Sequence, residues 1–349
     1  MQEETKTHAI RFTGEGTEYA KIFFMNILLS ILTLGIYSAW AKVRNKKYFY
    51  GNTILDDSSY RYHATGKQVL IGRLIAIGLL IAFQVVSGLL PAAGLVLLLV
   101  LFIALPVIII RSMRFNLRMS SYRQIRFNFI GQYFSILGYY FVLPVLSAFT
   151  LYLGLPYAIY KQTKYTLDQT KYGDSHFEFQ GRASEFFMAY LIGFLLTLGA
   201  MILIGITMSL FMPGLAELTA GANLEMSAVS GLILPLYAGL FVSSVLFMAY
   251  IKSRIMNHVF NNLHLDNVRF SSKVEFSKLL GIMITNLLFI VLTVGIFIPW
   301  AKVRSAKYIL SCIRVHSDDL GAFVQAEKEK VSAFGEEFGE AMDIDISIV

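Results

Sequence analysis

The sequence has 349 residues, of which 56% are hydrophobic and only 15% are charged, and its mean hydropathy is +0.61. A soluble domain carries about 25% charged residues, so this composition excludes a single soluble core or a disordered chain and indicates a membrane protein. The net charge of +7 favours a lipid bilayer with anionic phospholipid as the partner of the chain, and no sequence feature indicates nucleic-acid binding.

Seven apolar segments follow one another along the chain, near residues 20–41, 68–90, 92–110, 132–156, 186–211, 229–251 and 277–301. A helix of about 20 apolar residues is long enough to cross a bilayer. The segments therefore predict a multi-pass helical protein. The single cysteine, Cys312, cannot form an internal disulfide.

The first and last apolar segments are similar to each other. Residues 26–48 match residues 286–308 at 13 of 23 positions, at an offset of 260 residues. Both tryptophans, Trp40 and Trp300, occupy equivalent places in the two copies. Such self-similarity is typical of a fold built from quasi-repeats. The two indoles also fit the aromatic belt at a membrane interface.

A second pattern predicts short strands between the apolar segments. Pairs of aromatic or apolar residues two positions apart recur five times, and alternation of this kind is typical of strands. The pairs are Ile10/Phe12, Tyr60/Tyr62, Phe127/Phe129, Phe177/Phe179 and Val268/Phe270. The predicted unit is a membrane helix with a basic extension, followed by a turn and a short strand.

Basic residues stand at similar distances before these strands, one helical turn apart. They predict a ring of positive charge at one depth, near the lipid headgroups. The ring consists of Arg44, Lys47, Arg111, Arg114, Lys161, Lys164, Lys252, Arg304 and Lys307. Two interpretations are open: the ring binds an anionic solute or lipid headgroups, or its members only snorkel and set the orientation of the helices.

The longest motifs carry a resemblance to a known family. The chain reads Thr-Leu-Gly-Ile-Tyr-Ser-Ala-Trp-Ala-Lys-Val-Arg at 33–44, Tyr-Phe-Tyr-Gly-Asn-Thr at 48–53 and Pro-Trp-Ala-Lys-Val-Arg at 299–304. It resembles the YjgN-type family of bacterial inner-membrane proteins over most of residues 10–316. The resemblance implies a multi-pass protein of the bacterial inner membrane, but it implies no molecular function because that of the family is uncharacterised. The middle copy departs from the motif, with Tyr-Ala-Ile-Tyr-Lys at 157–161.

The distribution of Lys and Arg predicts the topology. The second and fifth connections between apolar segments hold neither residue, whereas the other four are rich in both. Connections rich in Lys and Arg face the cytoplasm, yet seven simple crossings would place the basic third and fourth connections on opposite sides. We therefore favour four full spans, with the first, fourth and seventh segments re-entrant or tilted and both termini cytoplasmic. Seven spans are the alternative.

Each of the three re-entrant candidates contains a break. Thr33 and Gly35 mark it in the first segment, Thr293 and Gly295 in the seventh, and a Gly-Leu-Pro sequence at 154–156 in the fourth. Non-helical backbone at membrane depth is tolerated only where protein buries it or where it lines a watery cavity. The break residues are therefore candidates for lining a pore or for packing.

Two asparagines occupy matching places in the first and last segments. Asn26 and Asn286 each precede the threonine of the break by seven residues. Three interpretations are open for these amides: they bond to each other between helices, they cap the broken helices, or they line a pore.

The predicted fold class is an all-α integral membrane protein, a multi-pass bundle of quasi-repeats with short cytoplasmic β-strands. The predicted divisions are a first repeat over residues 1–128, a second over 129–269, a partial third over 270–316 and a cytoplasmic tail over 317–349. In the acidic tail, Phe334, Phe338 and Met342 recur at four-residue spacing, which predicts an amphipathic helix. Either this helix docks on a basic surface or it remains solvated.

The sequence does not indicate an enzyme or a cofactor. It has no phosphate-binding loop and no metal-ligand spacing, and the span cores hold no Asp, Glu or His to relay protons. Two function hypotheses remain. The first is a channel, transporter or lipid-handling protein for anionic or lipid-like cargo. The second is a non-transporting scaffold that recruits a cytoplasmic partner or organises lipid, and a homo-oligomer is compatible with both.

Overall fold

Helix pairs and strand pairs alternate along the chain. A computed structural model describes the backbone of residues 6–211 and 226–329, and the side chains of the same residues except 208–236 and 238. The described helices are α1 (Gly16–Leu32), α2 (Ser38–Gly51), α3 (Gly66–Leu89), α4 (Pro91–Arg118), α5 (Tyr133–Leu137), α6 (Leu143–Phe149), α7 (Leu155–Asp168), α8 (Ala183–Phe211), α9 (Met226–Asn261), α10 (Phe276–Leu292), α11 (Ile298–Ser311) and α12 (residues 320–329). A π-helical turn, Gly138–Val142, joins α5 to α6.

The described strands form one antiparallel sheet. They are β1 (Lys6–Ala9), β2 (Arg11–Phe12), β3 (Thr53–Leu55), β4 (Ser58–Tyr62), β5 (Ser120–Tyr122), β6 (Ile125–Phe129), β7 (Thr170–Tyr172), β8 (Ser175–Phe179), β9 (Leu263–Leu265), β10 (Val268–Ser272) and β11 (Ile313–Ser317). Their order is β1-β11-β10-β9-β8-β7-β6-β5-β4-β3-β2. Only Ile10 separates the two outer strands, β1 and β2, so the sheet curls into a nearly closed, barrel-like ring.

The predicted all-α fold class is therefore wrong, although helices dominate the chain. The predicted short strands exist, but they join into a sheet of 11 strands. Tight turns form the hairpins within it. Asp56 and Asp57 both have positive φ, as do Arg123 and Gln124, and this geometry matches the twist of two antiparallel strands. The remaining pairings, such as β4 with β5 and β6 with β7, join strands that whole helix pairs separate.

Four described helical segments are long and apolar enough to cross a membrane: Gly66–Leu89, Pro91–Arg118, Ala183–Thr207 and Gly239–Asn261. They lie on α3 and α4, which turn at Leu90, and on α8 and α9, whose connection lies outside the described residues. Large apolar side chains on these helices are exposed, as expected for a surface that lipid covers. Together with the composition, these helices identify a membrane protein.

Three further helix pairs are shorter: α1 with α2, α5 and α6 with α7, and α10 with α11. At 1.5 Å per residue, the 17 residues of α1 span about 25 Å, less than the hydrocarbon core of about 30 Å. The same turn joins each pair, with positive φ at Leu34, Leu151 and Val294. In the fourth apolar segment this turn lies at 150–154 and thus begins before the Gly-Leu-Pro sequence.

Strand pairing places the basic connections at the same end of the helices. The third and fourth connections contain β6 and β7, which pair directly through Phe127 and Tyr172. Both ends of the fourth apolar segment therefore meet one sheet, as they do when a segment enters and returns on one side. The depth that the short pairs reach in a bilayer stays a prediction.

The helices also form a ring. The second helix of each pair packs against the first helix of the next pair: α2 on α3, α4 on α5, α7 on α8 and α9 on α10. The last pair closes the ring, because α11 packs against α1. Each strand pair emerges from the base of its helix pair, so the ring of helices stands on the ring of strands.

Aromatic side chains form the joint between the two rings. The phenyl groups of Phe129 and Phe179 are fully buried and lie over Gly131 and Gly181, where a Cβ atom would overlap them. This contact explains why a small residue follows the second aromatic residue of these strands by two positions.

Candidate functional site

A cavity of about 460 Å³ lies inside the ring of strands, and we call it the chamber. The strand pairs contribute several residues each to its wall. Equivalent positions in successive units supply Ile10, between β1 and β2, and Tyr60, Phe127, Phe177 and Phe270 on the strands. The sequence pattern predicts strands at these positions and no more, because alternation along a strand does not reveal that separate strands face a common centre.

Aromatic contacts connect neighbouring strands around the chamber. The ring centroids of Tyr60 and Tyr122 are 4.9 Å apart, and those of Phe127 and Tyr172 are 5.0 Å apart. Phe177 and Phe270 continue the wall at 6.0 Å. Aromatic side chains therefore form one part of the wall, and leucine, isoleucine and valine side chains of β3, β9, β10 and β11 form another part.

The few polar groups of the wall are tyrosine hydroxyls and the side-chain hydroxyls of Thr53 and Ser120. The Tyr122 hydroxyl donates to the carbonyl of Leu55 at 2.8 Å, and the Tyr172 hydroxyl donates to the carbonyl of Tyr122 at 3.1 Å. Burial raises the pKa of Tyr122 to about 12 and also raises the pKa of Tyr60. Both hydroxyls therefore keep their protons at physiological pH, and the wall carries no charge from them.

Helix ends close the membrane side of the chamber, and α12 closes the opposite side. Phe49, Leu117, Phe260 and Leu310 line it from the last turns of α2, α4, α9 and α11. From α12, Leu320, Phe323 and Val324 line it, and the Phe323 ring stacks on Tyr172 with centroids 6.5 Å apart. The chamber is thus bounded by the helix ring and by a segment of the tail.

A buried glutamate holds α12 in this position. The Glu327 Oε1 atom accepts from the backbone N–H groups of Asp174 and Ser175, the latter at 3.1 Å, and Oε2 accepts from the Ser175 hydroxyl at 2.9 Å. A turn that aims successive N–H groups at one carboxylate is a typical anion-binding concavity. Gly173, at φ +60°, leaves room for it, because a Cβ there would overlap Oε1.

The first part of the tail docks on its own chain. Residues 320–329 pack against the ring of strands through apolar side chains and one buried glutamate. The predicted stripe of Phe334, Phe338 and Met342 lies outside the described residues.

The predicted basic ring divides between structural contacts and exposed positions. Arg114 donates to the carbonyl of Phe129 at 3.1 Å, and Lys164 donates to that of Phe179 at 2.7 Å, so both hold the end of a strand. Arg304 donates to Thr285 Oγ1 at 2.8 Å. Lys161 Nζ lies 5.5 Å from the centre of the Tyr157 ring. Arg304 is exposed in spite of its hydrogen bond, and the other exposed members are Arg44, Lys47, Arg111, Lys252 and Lys307.

Strand register changes the alignment of the fourth helix pair. β8 ends at Phe179 and β10 ends at Ser272, so Ser272 rather than Phe270 is the structural equivalent of Phe179. Counting back 18 residues from each aligns Lys161 with Arg254. Lys252 lies two residues earlier and is the equivalent of Lys42 and Lys302. The serine at 272 hides this register in the sequence.

Two opposite faces of α2 both carry positive charge but point to different places. Trp40, Arg44 and Lys47 share one face, since residues three and four apart lie above one another in a helix. Lys42 and Lys46 share the opposite face with Phe49, and Phe49 lines the chamber. We call the face with Lys42 and Lys46 the lysine face, and it leads to the chamber. The face with Arg44 and Lys47 points away from the chamber.

Asn26 and Asn286 do not bond to each other. Asn26 Nδ2 donates to Asn45 Oδ1 at 3.0 Å, and Asn286 Nδ2 donates to Ser305 Oγ at 3.0 Å. Each amide therefore ties the first helix of its own pair to the second.

The breaks at Thr33 and Thr293 are ordered turns. Each threonine hydroxyl donates to the carbonyl four residues earlier, at 2.7 and 2.6 Å, and accepts from the N–H four residues later, at 2.9 and 3.0 Å. Gly35 and Gly295 both have φ +89°, which glycine adopts readily. Both break sites thus reverse the chain between two helices.

The two tryptophans join adjacent helix pairs. The Trp40 ring lies over Gly66 at the start of α3, and the Trp300 ring lies over Gly16 at the start of α1, so a Cβ on either glycine would overlap an indole. The identical spacing of the two tryptophans in the sequence therefore reflects two equivalent joints in the ring of helices.

Replacing Gly66 with alanine is expected to lower the melting temperature of the purified protein, because the new methyl group displaces the Trp40 ring. Overpacking of this kind costs about 1–3 kcal/mol. Gly72→Ala, on the same helix, is the control, since a Cβ there meets nothing within 4 Å. Equal melting temperatures for the two variants would contradict the joint.

The described residues offer no cluster of three or more His, Cys, Asp or Glu that could hold a metal ion.

Comparisons with known proteins agree with the membrane assignment. A family described as "Bacterial protein of unknown function (DUF898)" matches residues 7–341. The chain is 24% identical to inner membrane protein YjgN of Salmonella typhimurium over 356 aligned residues, which cover 90% of each protein. It is 32% identical to inner membrane protein YjgN of Escherichia coli over 146 residues, 42% of this chain and 37% of that protein. No solved structure matches. The resemblance that the sequence motifs indicated is thus confirmed, and the chain belongs to the DUF898 family of bacterial proteins.

Proposed function

We propose that this protein handles a lipid-like molecule with an anionic headgroup at the bacterial inner membrane and takes the acyl chain of that molecule into the chamber. The apolar chamber of about 460 Å³ is the observation that carries the proposal. Small-molecule pockets have volumes of about 300–1,000 Å³, apolar walls and a few polar groups. The chamber has each of these properties.

An acyl chain suits the chemistry of the wall. Phe127, Phe177 and Phe270 offer aromatic surface, and each methylene group that leaves water gains about 0.8 kcal/mol. The hydroxyls of Tyr122 and Tyr172 already donate to backbone carbonyls, so they do not require a polar ligand. A flexible hydrocarbon chain therefore fits better than a polar solute.

The lysine face of α2 suits an anionic headgroup. Lys46 Nζ donates to Asn116 Oδ1 at 2.6 Å and lies 4.7 Å from the centre of the Tyr62 ring, while Lys42 is exposed. Lys252 and Lys302 occupy the equivalent places of Lys42 on α9 and α11. Positive charge beside an apolar chamber favours a molecule that is anionic at one end and apolar at the other.

Lipid handling accounts for these features better than an open channel. Asn26 and Asn286 were candidates for a shared polar path, but each bonds within its own helix pair. The alternative is a scaffold whose strands and acidic tail recruit a partner or organise lipid, and most of that tail lies outside the described residues. The relatives named inner membrane protein support the location, and the lysines and arginines on the sheet side support a cytoplasmic sheet and cytoplasmic termini.

Photocrosslinking tests the proposal. Purified protein is incubated with a fatty acid that carries a photoreactive diazirine near the end of its chain, and crosslinked peptides are identified by mass spectrometry. We expect adducts on chamber strands β6, β8 and β10, and we expect excess oleate to suppress them. Adducts confined to the lipid-facing surfaces of α3, α4, α8 and α9 would contradict the proposal.

Lys42→Glu is expected to lower the affinity for a fluorescent fatty acid at least fivefold, because it reverses a charge on the face that leads to the chamber. Lys47→Glu is the matched control, since Lys47 is also exposed and the same lysine-to-glutamate change there lies on the opposite face of α2. An equal loss of affinity in both variants would show that only the net charge matters.

A further inference from the structure

A second pocket lies between α1 and α2 and shares no lining residue with the chamber. Its volume is about 300 Å³, and Phe23, Ile27 and Ile31 form its apolar walls. Asn26 and Asn45 supply its amide groups. Large apolar side chains of α1, including Ile31, are exposed, so this helix presents a surface suited to lipid.

The amide of Asn26 is only half satisfied. Its side chain is 3% exposed, and its Nδ2 donates to Asn45 Oδ1 at 3.0 Å. Its Oδ1 is buried and accepts no hydrogen bond from the described protein. A buried acceptor without a donor is unfavourable, so this oxygen calls for a donor from outside the chain.

In the last helix pair the equivalent oxygen, Asn286 Oδ1, has a donor within the protein. Arg304 Nη1 lies 3.4 Å from Asn286 Oδ1 and 2.8 Å from Thr285 Oγ1. In the first pair Met25 replaces Thr285, and no hydrogen bond or ion pair connects Arg44 to any residue that the structure describes. The first pair thus combines a buried acceptor with an unengaged guanidinium one position from Asn45.

We propose that the groove between α1 and α2 binds a phospholipid whose headgroup ends in a hydrogen-bond donor, either the ammonium of ethanolamine or a hydroxyl of glycerol. The donor bonds to Asn26 Oδ1, and the phosphate pairs with Arg44, because a guanidinium matches phosphate with two parallel hydrogen bonds. The apolar walls cover the glycerol and the first methylenes of the chains. A choline headgroup has no donor and cannot complete the site.

Native mass spectrometry of the full-length protein tests this site, with an equal mixture of ethanolamine, glycerol and choline phospholipids that share the same acyl chains. We expect the ethanolamine and glycerol lipids to bind at least fivefold more than the choline lipid. Asn26→Leu should remove this preference, whereas Asn286→Leu, the matched change in the last pair, should retain it. Equal binding of all three lipids, or an equal effect of both variants, would overturn the proposal.

A second variant distinguishes loss of the site from misfolding of Asn26→Leu. Met25→Thr restores the hydroxyl that engages Arg304 in the last pair, so Arg44 should turn inward and the headgroup preference should fall without any change to Asn26. An unchanged preference would overturn the role of Arg44. Soluble glycerophosphoethanolamine should fail to compete, because it lacks the chains. Full competition would assign the site to a soluble phosphoester instead. The chamber proposal is independent of each result.

Discussion

Replacing Glu327 with glutamine is expected to release α12 from the ring of strands. The carboxylate accepts from two backbone N–H groups of the β7–β8 turn and from the Ser175 hydroxyl, and its side chain is fully buried. The glutamine NH₂ group cannot accept hydrogen bonds. The variant therefore loses either the two bonds from the backbone N–H groups or the bond from the Ser175 hydroxyl. A buried hydrogen bond to a charged group contributes about 1.5–3 kcal/mol. We expect the docking of α12 to weaken by about 3 kcal/mol, which corresponds to more than 100-fold.

Hydrogen exchange measured by mass spectrometry reports this release. Peptides that cover 320–329 should lose roughly 100-fold in protection, because 1.4 kcal/mol corresponds to a factor of ten. Binding of the fluorescent fatty acid should become faster, since Phe323 no longer covers the chamber. Gly173→Ala should act in the same direction by crowding the carboxylate. Glu329→Gln is the control, because Glu329 is exposed, and unchanged exchange in Glu327→Gln would contradict the anchor.

Replacing Phe129 with alanine is expected to destabilise the protein by about 3–5 kcal/mol, as is typical when a buried aromatic side chain leaves a cavity. The Phe129 side chain is fully buried and packs with Ile110 of α4 and Ile136 of α5. It therefore joins β6 to two helices at the base of the ring. Thermal unfolding in detergent should show a large loss of melting temperature.

Phe134→Ala provides the matched control for this change. Phe134 lies on α5 of the same unit, but its side chain is 81% exposed, on a surface suited to lipid. The same truncation there should leave the melting temperature nearly unchanged. A similar loss in both variants would show that the joint between sheet and helices does not depend on Phe129.

The sequence predicted the local elements of this fold well. Long apolar runs indicated the four long helices, and the paired aromatic residues indicated the strands, because both signals come from neighbouring residues. The ring was not predictable in the same way. Pairing of β4 with β5 or of β6 with β7 joins residues that a complete helix pair separates, and no periodicity records it. The all-α prediction failed for this reason.

The candidate site was less predictable than the fold. Ile10 and Tyr60 carry no sign in the sequence that they face one cavity, since that depends on closure of the sheet. Glu327 is one of several acidic residues in the tail. It differs from the others because its carboxylate fits beside Gly173 in the β7–β8 turn, and the sequence does not show this contact. In the fourth helix pair, Ser272 stands where other units have an aromatic residue, which shifted the apparent alignment to Lys252.

Labelling of single cysteines from each side of the membrane tests the central claim, that all strand pairs lie at one end of the helices. After Cys312 is replaced by serine, cysteines are placed at Gln124, Asp174 and Asn267, exposed turn residues of three hairpins, and at Pro91, the first residue of α4. We expect the three turn positions to label from one side, the cytoplasm, and Pro91 to label from the other. Labelling of Gln124 and Asp174 from opposite sides would contradict the pairing of β6 with β7 and the chamber with it.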